Sequence, residues 1–206
     1  MRVNNYDKNK SIKIPAHQAA LSALCLNYVG TFLATASEKG TLIRIFSTDN
    51  GQALQEVRRG SENAVIYSIC FDMQSNWLAC SSNKGTVHIF SIKPKYDGEG
   101  VKLTDEEEAK VVNHPEDPAG GDKEENRPAN KKSKLNFMSG IVPFFNSEWS
   151  YGKFKIPSDD NSLHQTCAFD KDGNHLIVVS SQGTYYLAEI PKTKGNCKLL
   201  EKRNLI

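Results

Sequence analysis

The sequence predicts an all-β chain, about three blades of a β-propeller, on three observations: a repeated strand–turn–strand unit, its spacing, and a lead-in strand before each copy. Residues 33–46 read LATASEKGTLIRIF and residues 78–90 read LACSSNKGTVHIF. In both, an alternating apolar run reaches serine, turns at Lys-Gly-Thr, and returns as a second alternating run. Alternation of period two marks a strand, and the glycine suits a tight reversal. Gly40 and Gly85 are 45 positions apart, within the roughly 40–45 residues of a four-stranded propeller blade.

A weaker third copy, LIVVSSQGTYYLAEI, spans 176–190. Gly183 follows Gly85 by 98 positions, 53 more than one period. The excess falls in a polar stretch at 93–134, acidic in its middle (DEEE at 105–108) and basic at its end (KKSK at 131–134). Such a stretch buries too little apolar surface to fold alone and reads as a long disordered insertion. The lead-in strands are ALSALCLNYVG (20–30), IYSICFDMQSN (66–76) and HQTCAFDKDGN (164–174). The division expected is a lead-in at 1–10, blades at 11–60, 61–157 (with insertion 93–149) and 158–206. A closed propeller needs about four blades or more, so the chain reads as a fragment, a truncated gene product, or a piece completed by something else. Three open blades would expose apolar inter-blade faces.

A net charge of +2 is too small to imply nucleic-acid binding, so affinity for an anion must come from local clusters of Lys and Arg. No run of about 18 apolar residues is present, and MRVNNYDKNK lacks the apolar stretch of a signal peptide. The five cysteines (Cys25, Cys70, Cys80, Cys167, Cys197) form no C-x-x-C and read as reduced, mostly buried thiols. No metal cluster, phosphate loop or nucleophile–base pairing is legible. The expectation is no catalytic residue, no metal, no cofactor and no enzyme.

The strongest local signal is Arg58-Arg59-Gly60 in QEVRRGSENAVIYS. Adjacent strand residues point to opposite faces, so two arginines can serve two pockets. The planar guanidinium donates paired hydrogen bonds to phosphate and keeps its charge. Gly60 allows a tight turn or a close ligand approach. The flanking turns offer hydroxyls (Thr35, Ser37 and Thr41, then Ser81, Ser82 and Thr86), with His17, His88 and Arg44 nearby. Singly, each of these is ordinary strand or turn composition.

In order, the stretch from AHQAALS through ATASEKGTLIR, VRRG and SSNKGTVHIF resembles the PROPPIN family, which includes the WIPI proteins, strongly over 11–92 and loosely over 135–190. Val57 stands where the family's motif has Phe or Leu before Arg-Arg-Gly. The resemblance implies a WD40-like seven-bladed propeller of which this chain carries blades five to seven. It also implies binding of phosphatidylinositol 3-phosphate and phosphatidylinositol 3,5-bisphosphate in autophagosome formation. The location implied is cytoplasmic, peripheral on preautophagosomal, endosomal or vacuolar membranes. An autophagy lipid-transfer protein would be recruited through blades absent here. By position, a first headgroup site would use His17, Thr35, Ser37, Gly40, Thr41, Arg44 and Arg58. A second would use Arg59, Gly60, Ser81, Ser82, Thr86 and His88. A histidine beside phosphate would hold its proton, giving binding that weakens above about pH 7. The family's membrane-inserting loop would correspond to the basic and apolar run of Lys131, Lys132, Lys134, Leu135, Phe137, Met138, Ile141, Val142, Phe144 and Phe145. Residues 150–157 would return as the fourth strand of the second blade. The rival reading is a propeller scaffold that binds only proteins.

Overall fold

A computed structural model describes residues 1–6, 8–92, 130–132, 147–157 and 163–206. None of the described residues is helical. Three antiparallel four-strand units follow the repeats. The first contains β3 (Leu21–Leu26), β4 (Phe32–Ser37), β5 (Leu42–Ser47) and β6 (Ala53–Arg58). The second contains β7 (Ile66–Phe71), β8 (Trp77–Ser82), β9 (Thr86–Ser91) and β12 (Gly152–Lys155). The third contains β13 (Gln165–Phe169), β14 (His175–Ser180), β15 (Thr184–Glu189) and β17 (Lys198–Asn204). The chain is thus a partial β-propeller, and the segment 150–157 supplies the fourth strand of the second unit, as its alternation predicts.

The same reversal joins the second and third strands each time. The glycine amide donates to the serine carbonyl three residues back: Gly40 to Ser37 at 2.8 Å, Gly85 to Ser82 at 3.3 Å, Gly183 to Ser180 at 2.9 Å. All three glycines have positive φ (60°, 66° and 78°), where an L side chain is strained. At Gly40 a Cβ would also sit 1.9 Å from the Ala64 carbonyl oxygen.

Alternation places one face of each sheet against the next. Ala34, Ala36, Ile43, Ile45 and Val57 of the first sheet pack on Ile66, Leu78, Cys80 and Phe90 of the second. Ala79, Val87, Ile89 and Phe154 of the second meet Leu176, Val178 and Tyr186 of the third. Each Ile, Leu, Val or Phe among them contributes about 1.5–3 kcal/mol when removed from water, which makes these two seams the main stabilising surfaces.

The expected lead-in has its own structure. β1 (Arg2–Asn5) pairs antiparallel with β2 (Lys10–Lys13), which crosses the expected boundary at residue 11. Ile14 and Ala16, with Met1, Val3 and Ile12, cover Leu33 and Phe46 on the outward face of the first sheet. The expectation of open apolar faces therefore needs correcting on this side. Leu24 and Leu26 of β3 do remain exposed, at 60% and 51%.

Two short strands from the insertion extend the first sheet rather than the second. β11 (Glu148–Trp149) runs parallel to β6 with Trp149 opposite Arg58, and β10 (Lys131–Lys132) pairs outside it. A further short strand, β16 (Gly195–Asn196), pairs parallel with β12.

Candidate phosphate-binding faces

Strand register decides which candidate residues share a face. Thr35 lies opposite Arg44, Arg44 opposite Glu56, and Leu42 opposite Arg58. Leu33 and Phe46 have the same parity, so this is the face the N-terminal hairpin covers. His17 reaches it from the segment after β2, its Nε2 3.1 Å from the Thr35 hydroxyl and 3.2 Å from the Thr35 carbonyl. The Thr35 hydroxyl donates to the Arg44 carbonyl at 3.3 Å. Arg44 donates from Nε to Glu56 at 2.8 Å and from Nη1 to the Ala16 carbonyl at 2.6 Å. Burial, with Arg44 close by, holds His17 below the ordinary imidazole range. Ser37 shares the parity of Thr35 and is buried.

Arg58 is half-buried and ends β6. Among the described residues its side chain makes a single hydrogen bond, Nε to the Ser147 hydroxyl at 3.1 Å. Among the described residues, its two terminal nitrogens have no hydrogen-bond partner. Ser147 is held by a buried polar cluster that the sequence reading missed. Glu148 accepts from Gln55 Nε2 at 3.0 Å and from Asn130 Nδ2 at 3.1 Å. Asn130 is fastened to Ser91 by two further bonds, 2.7 Å to its amide and 2.6 Å to its carbonyl. The stem of the insertion is thereby fixed beside Arg58.

Arg59 has a different fate. It is 4% exposed, donates from Nε to the Gly40 carbonyl at 2.5 Å, and donates from Nη2 to the Glu62 carbonyl. Its amide and that of Gly60 both point at the Thr41 carbonyl, at 2.9 and 3.4 Å. Gly40 and Thr41, grouped with Arg58 by resemblance, contact Arg59 instead. Gly60 has open space around the position a Cβ would take.

On the second sheet, Cys80 lies opposite His88, His88 opposite Lys153, and Thr86 opposite Lys155. Cys80 belongs to the seam with the first sheet, so Ser82, Thr86, His88, Lys153 and Lys155 face that seam, where Arg59 lies. Ser81 has the opposite parity. Its hydroxyl is fully buried and donates to the Gln165 carbonyl of the third sheet at 2.7 Å. Ser81 therefore ties two sheets together and stands apart from Arg59's face. Ser82 is also buried, and its hydroxyl accepts from the Lys84 amide at 3.4 Å.

His88 is 7% exposed, with Nδ1 3.3 Å from the Ser150 hydroxyl. Burial, then the charges of Lys153 and Arg59, pushes its pKa down to about 3. The expectation of a protonated histidine fails here, because a neutral ring costs less in this dry, cationic setting. Lys153 and Lys155 are exposed on the outer strand. They add cationic charge that the GKFK alternation could have revealed once its register opposite His88 was known.

Of the expected membrane loop, Lys131 and Lys132 form β10. Lys134, Leu135, Phe137, Met138, Ile141, Val142, Phe144 and Phe145 lie outside the described residues.

Residues 3–100 match the PROPPIN family model. Autophagy-related protein 21 of Schizosaccharomyces pombe is 30% identical over 190 residues, 92% of this chain and 50% of that protein. WD repeat domain phosphoinositide-interacting protein 1 of Xenopus laevis is 31% identical over 212 residues, 99% of this chain and 44% of that protein. The chain spans half or less of the length of these curated relatives. Among solved structures, Kluyveromyces lactis Hsv2 superposes with a TM-score of 0.66 at 23% identity, covering 96% of this chain and 51% of that one. A complex of KlAtg21 with the coiled coil of AgAtg16 gives 0.63 at 22% identity, covering 100% and 49%.

Proposed function

The chain belongs to the PROPPIN family, and from that premise we propose that it holds phosphoinositide headgroups at a membrane surface and catalyses nothing. The headgroups are those of phosphatidylinositol 3-phosphate and phosphatidylinositol 3,5-bisphosphate, and the setting is a peripheral role in autophagosome formation on preautophagosomal, endosomal or vacuolar membranes. The observation that carries this reading is the divergence of two adjacent guanidinium groups. Arg58 lies on the outward face with Thr35 and Arg44, while Arg59 turns into the seam that Ser82, Thr86 and His88 face. Each face has a cation and hydroxyls suited to a phosphate, and each alone is a weak contact. Two such contacts on one membrane, joined by the apolar run 135–145, multiply through effective concentration.

Binding to phosphate here is electrostatic and donor-rich. Arg58 supplies terminal nitrogens, and Lys153 and Lys155 supply charge near the second face. Buried His88 and half-buried His17 contribute shape and hydrogen bonding. Recruitment of a lipid-transfer protein would run through propeller blades outside this chain and is assigned to no residue here.

Flotation with vesicles containing phosphatidylinositol 3-phosphate tests the reading. Arg58→Ala should cut recovery with the lipid vesicles at least several-fold while the protein stays folded. Equal recovery of wild type with and without the phosphoinositide would overturn the reading. That result would favour the scaffold alternative, to which the solved complex of one relative with a coiled coil gives weight.

A further inference from the structure

We propose that Cys70 and Cys167 form a peroxide-oxidisable dithiol that closes into a disulfide between the second and third sheets. The two sulfurs are 3.8 Å apart. Cys70 sits on β7 and Cys167 on β13, the neighbouring first strands of two successive sheets. Consecutive parity puts them face to face. Cys70 lies two residues before the turn aspartate Asp72, and Cys167 three residues before its counterpart Asp170, so one side chain points forward across the seam and the other back. Both are packed against one apolar cluster, and both are free thiols.

The surroundings favour reaction at Cys167. Cys70 donates its S–H to Cys167, and Ser68 lies 3.6 Å from the Cys167 sulfur. These contacts support the ionised form of Cys167 and hold the proton on Cys70. Cys167 is 3% exposed, whereas Cys70 is only half-buried, so a small oxidant reaches the pair from the Cys70 side. The oxidant is a hydroperoxide such as hydrogen peroxide. The Cys167 thiolate attacks one peroxide oxygen, the O–O bond breaks, and the departing hydroxide takes a proton as water, leaving a sulfenic acid. The Cys70 sulfur, losing its proton, then attacks the Cys167 sulfur. The S–O bond breaks and a second water leaves. Two thiols lose two electrons in total, and one peroxide gains them.

Closing the bond requires the sulfurs to approach from 3.8 Å to about 2.05 Å. The new bond would span 97 positions of sequence. It would restrict the unfolded chain strongly and lock the two sheets together. In a reducing compartment such a bond is a transient, signal-dependent modification rather than a permanent staple. The inference is independent of headgroup binding.

The test treats the whole chain with hydrogen peroxide, alkylates the remaining thiols and maps them by mass spectrometry. The expected result is loss of two of the five alkylatable thiols and one cross-linked peptide joining Cys70 to Cys167. A higher thermal midpoint, reversed by dithiothreitol, should accompany it. Cys70→Ser and Cys167→Ser should each remove the cross-link. A urea-unfolded sample should give scrambled pairs. A dominant bond from Cys25 or Cys80 to Cys167 would overturn the assignment. So would full alkylation of both Cys70 and Cys167 after treatment of the native protein.

Discussion

Replacing Arg59 by alanine should damage folding as well as binding, whereas replacing Arg58 should damage binding alone. Arg59 is 4% exposed and its guanidinium bonds two backbone carbonyls, those of Gly40 and Glu62. A hydrogen bond to a charged group contributes about 1.5–3 kcal/mol net. The Gly40 carbonyl lies in the seam and would lose its charged partner, whereas the Glu62 carbonyl, in an exposed turn, can bind water instead. The sum is a loss of about 2–4 kcal/mol, a large part of a typical stability of roughly 5–15 kcal/mol. For a chain of this length that lowers the melting midpoint by about 4–16 °C. Arg58, half-buried with one bond to a hydroxyl, should lose only about 1.5 kcal/mol, the low end of that range. Urea titration followed by the fluorescence of Trp77 and Trp149 measures both, provided the slopes agree. Equal stability losses in the two variants, or an Arg59→Ala protein as stable as wild type, would refute the reasoning. A double substitution of both arginines cannot separate lost binding from lost folding, so the single variants are the informative ones.

Gly40→Ala should cost at least about 3 kcal/mol, because positive φ alone costs roughly 1–2 kcal/mol and a Cβ there meets the Ala64 carbonyl at 1.9 Å. Gly60→Ala, with nothing near its Cβ, should leave the urea midpoint unchanged or raise it slightly. His88 has a folded pKa of about 3, below the unfolded value of about 6.5. Its contribution to stability is therefore full above pH 6.5 and falls by about 1.4 kcal/mol per pH unit as the pH drops toward 3. His88→Gln should flatten that part of a stability–pH curve. For the same reason headgroup binding measured by calorimetry should be level between pH 7 and 8, and a steady decline over that range would count against a neutral His88. Ser147→Ala should weaken binding of a soluble inositol 1,3-bisphosphate several-fold with little change in melting temperature, because Ser147 aims Arg58 rather than supporting the core.

The propeller strands and their turns were readable because each is a local pattern. Lys-Gly-Thr after a serine reports both the reversal and the positive φ that Gly40 and Gly85 adopt. The diverging arginines were readable too, since parity along β6 and the residue after it is a local property. What stayed hidden depends on pairing between distant segments. The two-residue strand β11 has no periodicity to detect, so Ser147, Glu148 and Asn130 gave no signal before their pairing with β6 was known. Ser81 and Ser82 are neighbours of the same type, and only knowing which seam Cys80 faces separates a sheet-to-sheet tie from a candidate ligand. The N-terminal hairpin turns through Asn9 at φ 46° without the glycine that marks the other turns, so its strands carry no turn signal and the segment reads only as a lead-in.

The pairing of β11 with β6 also governs the order in which the chain can be assembled. Arg58 and Ser147 are 89 positions apart, and joining segments so distant carries a loop-closure cost that local hairpins escape. During synthesis β6 can zip onto β5 at once, but its other edge must wait until about ninety more residues have left the ribosome. In that interval the edge offers unsatisfied amides and carbonyls to any passing strand. The sheet of β3–β6 is thus completed only after the strands that follow it have been made, and a nascent chain arrested before residue 147 should be more prone to aggregate than its apolar content suggests.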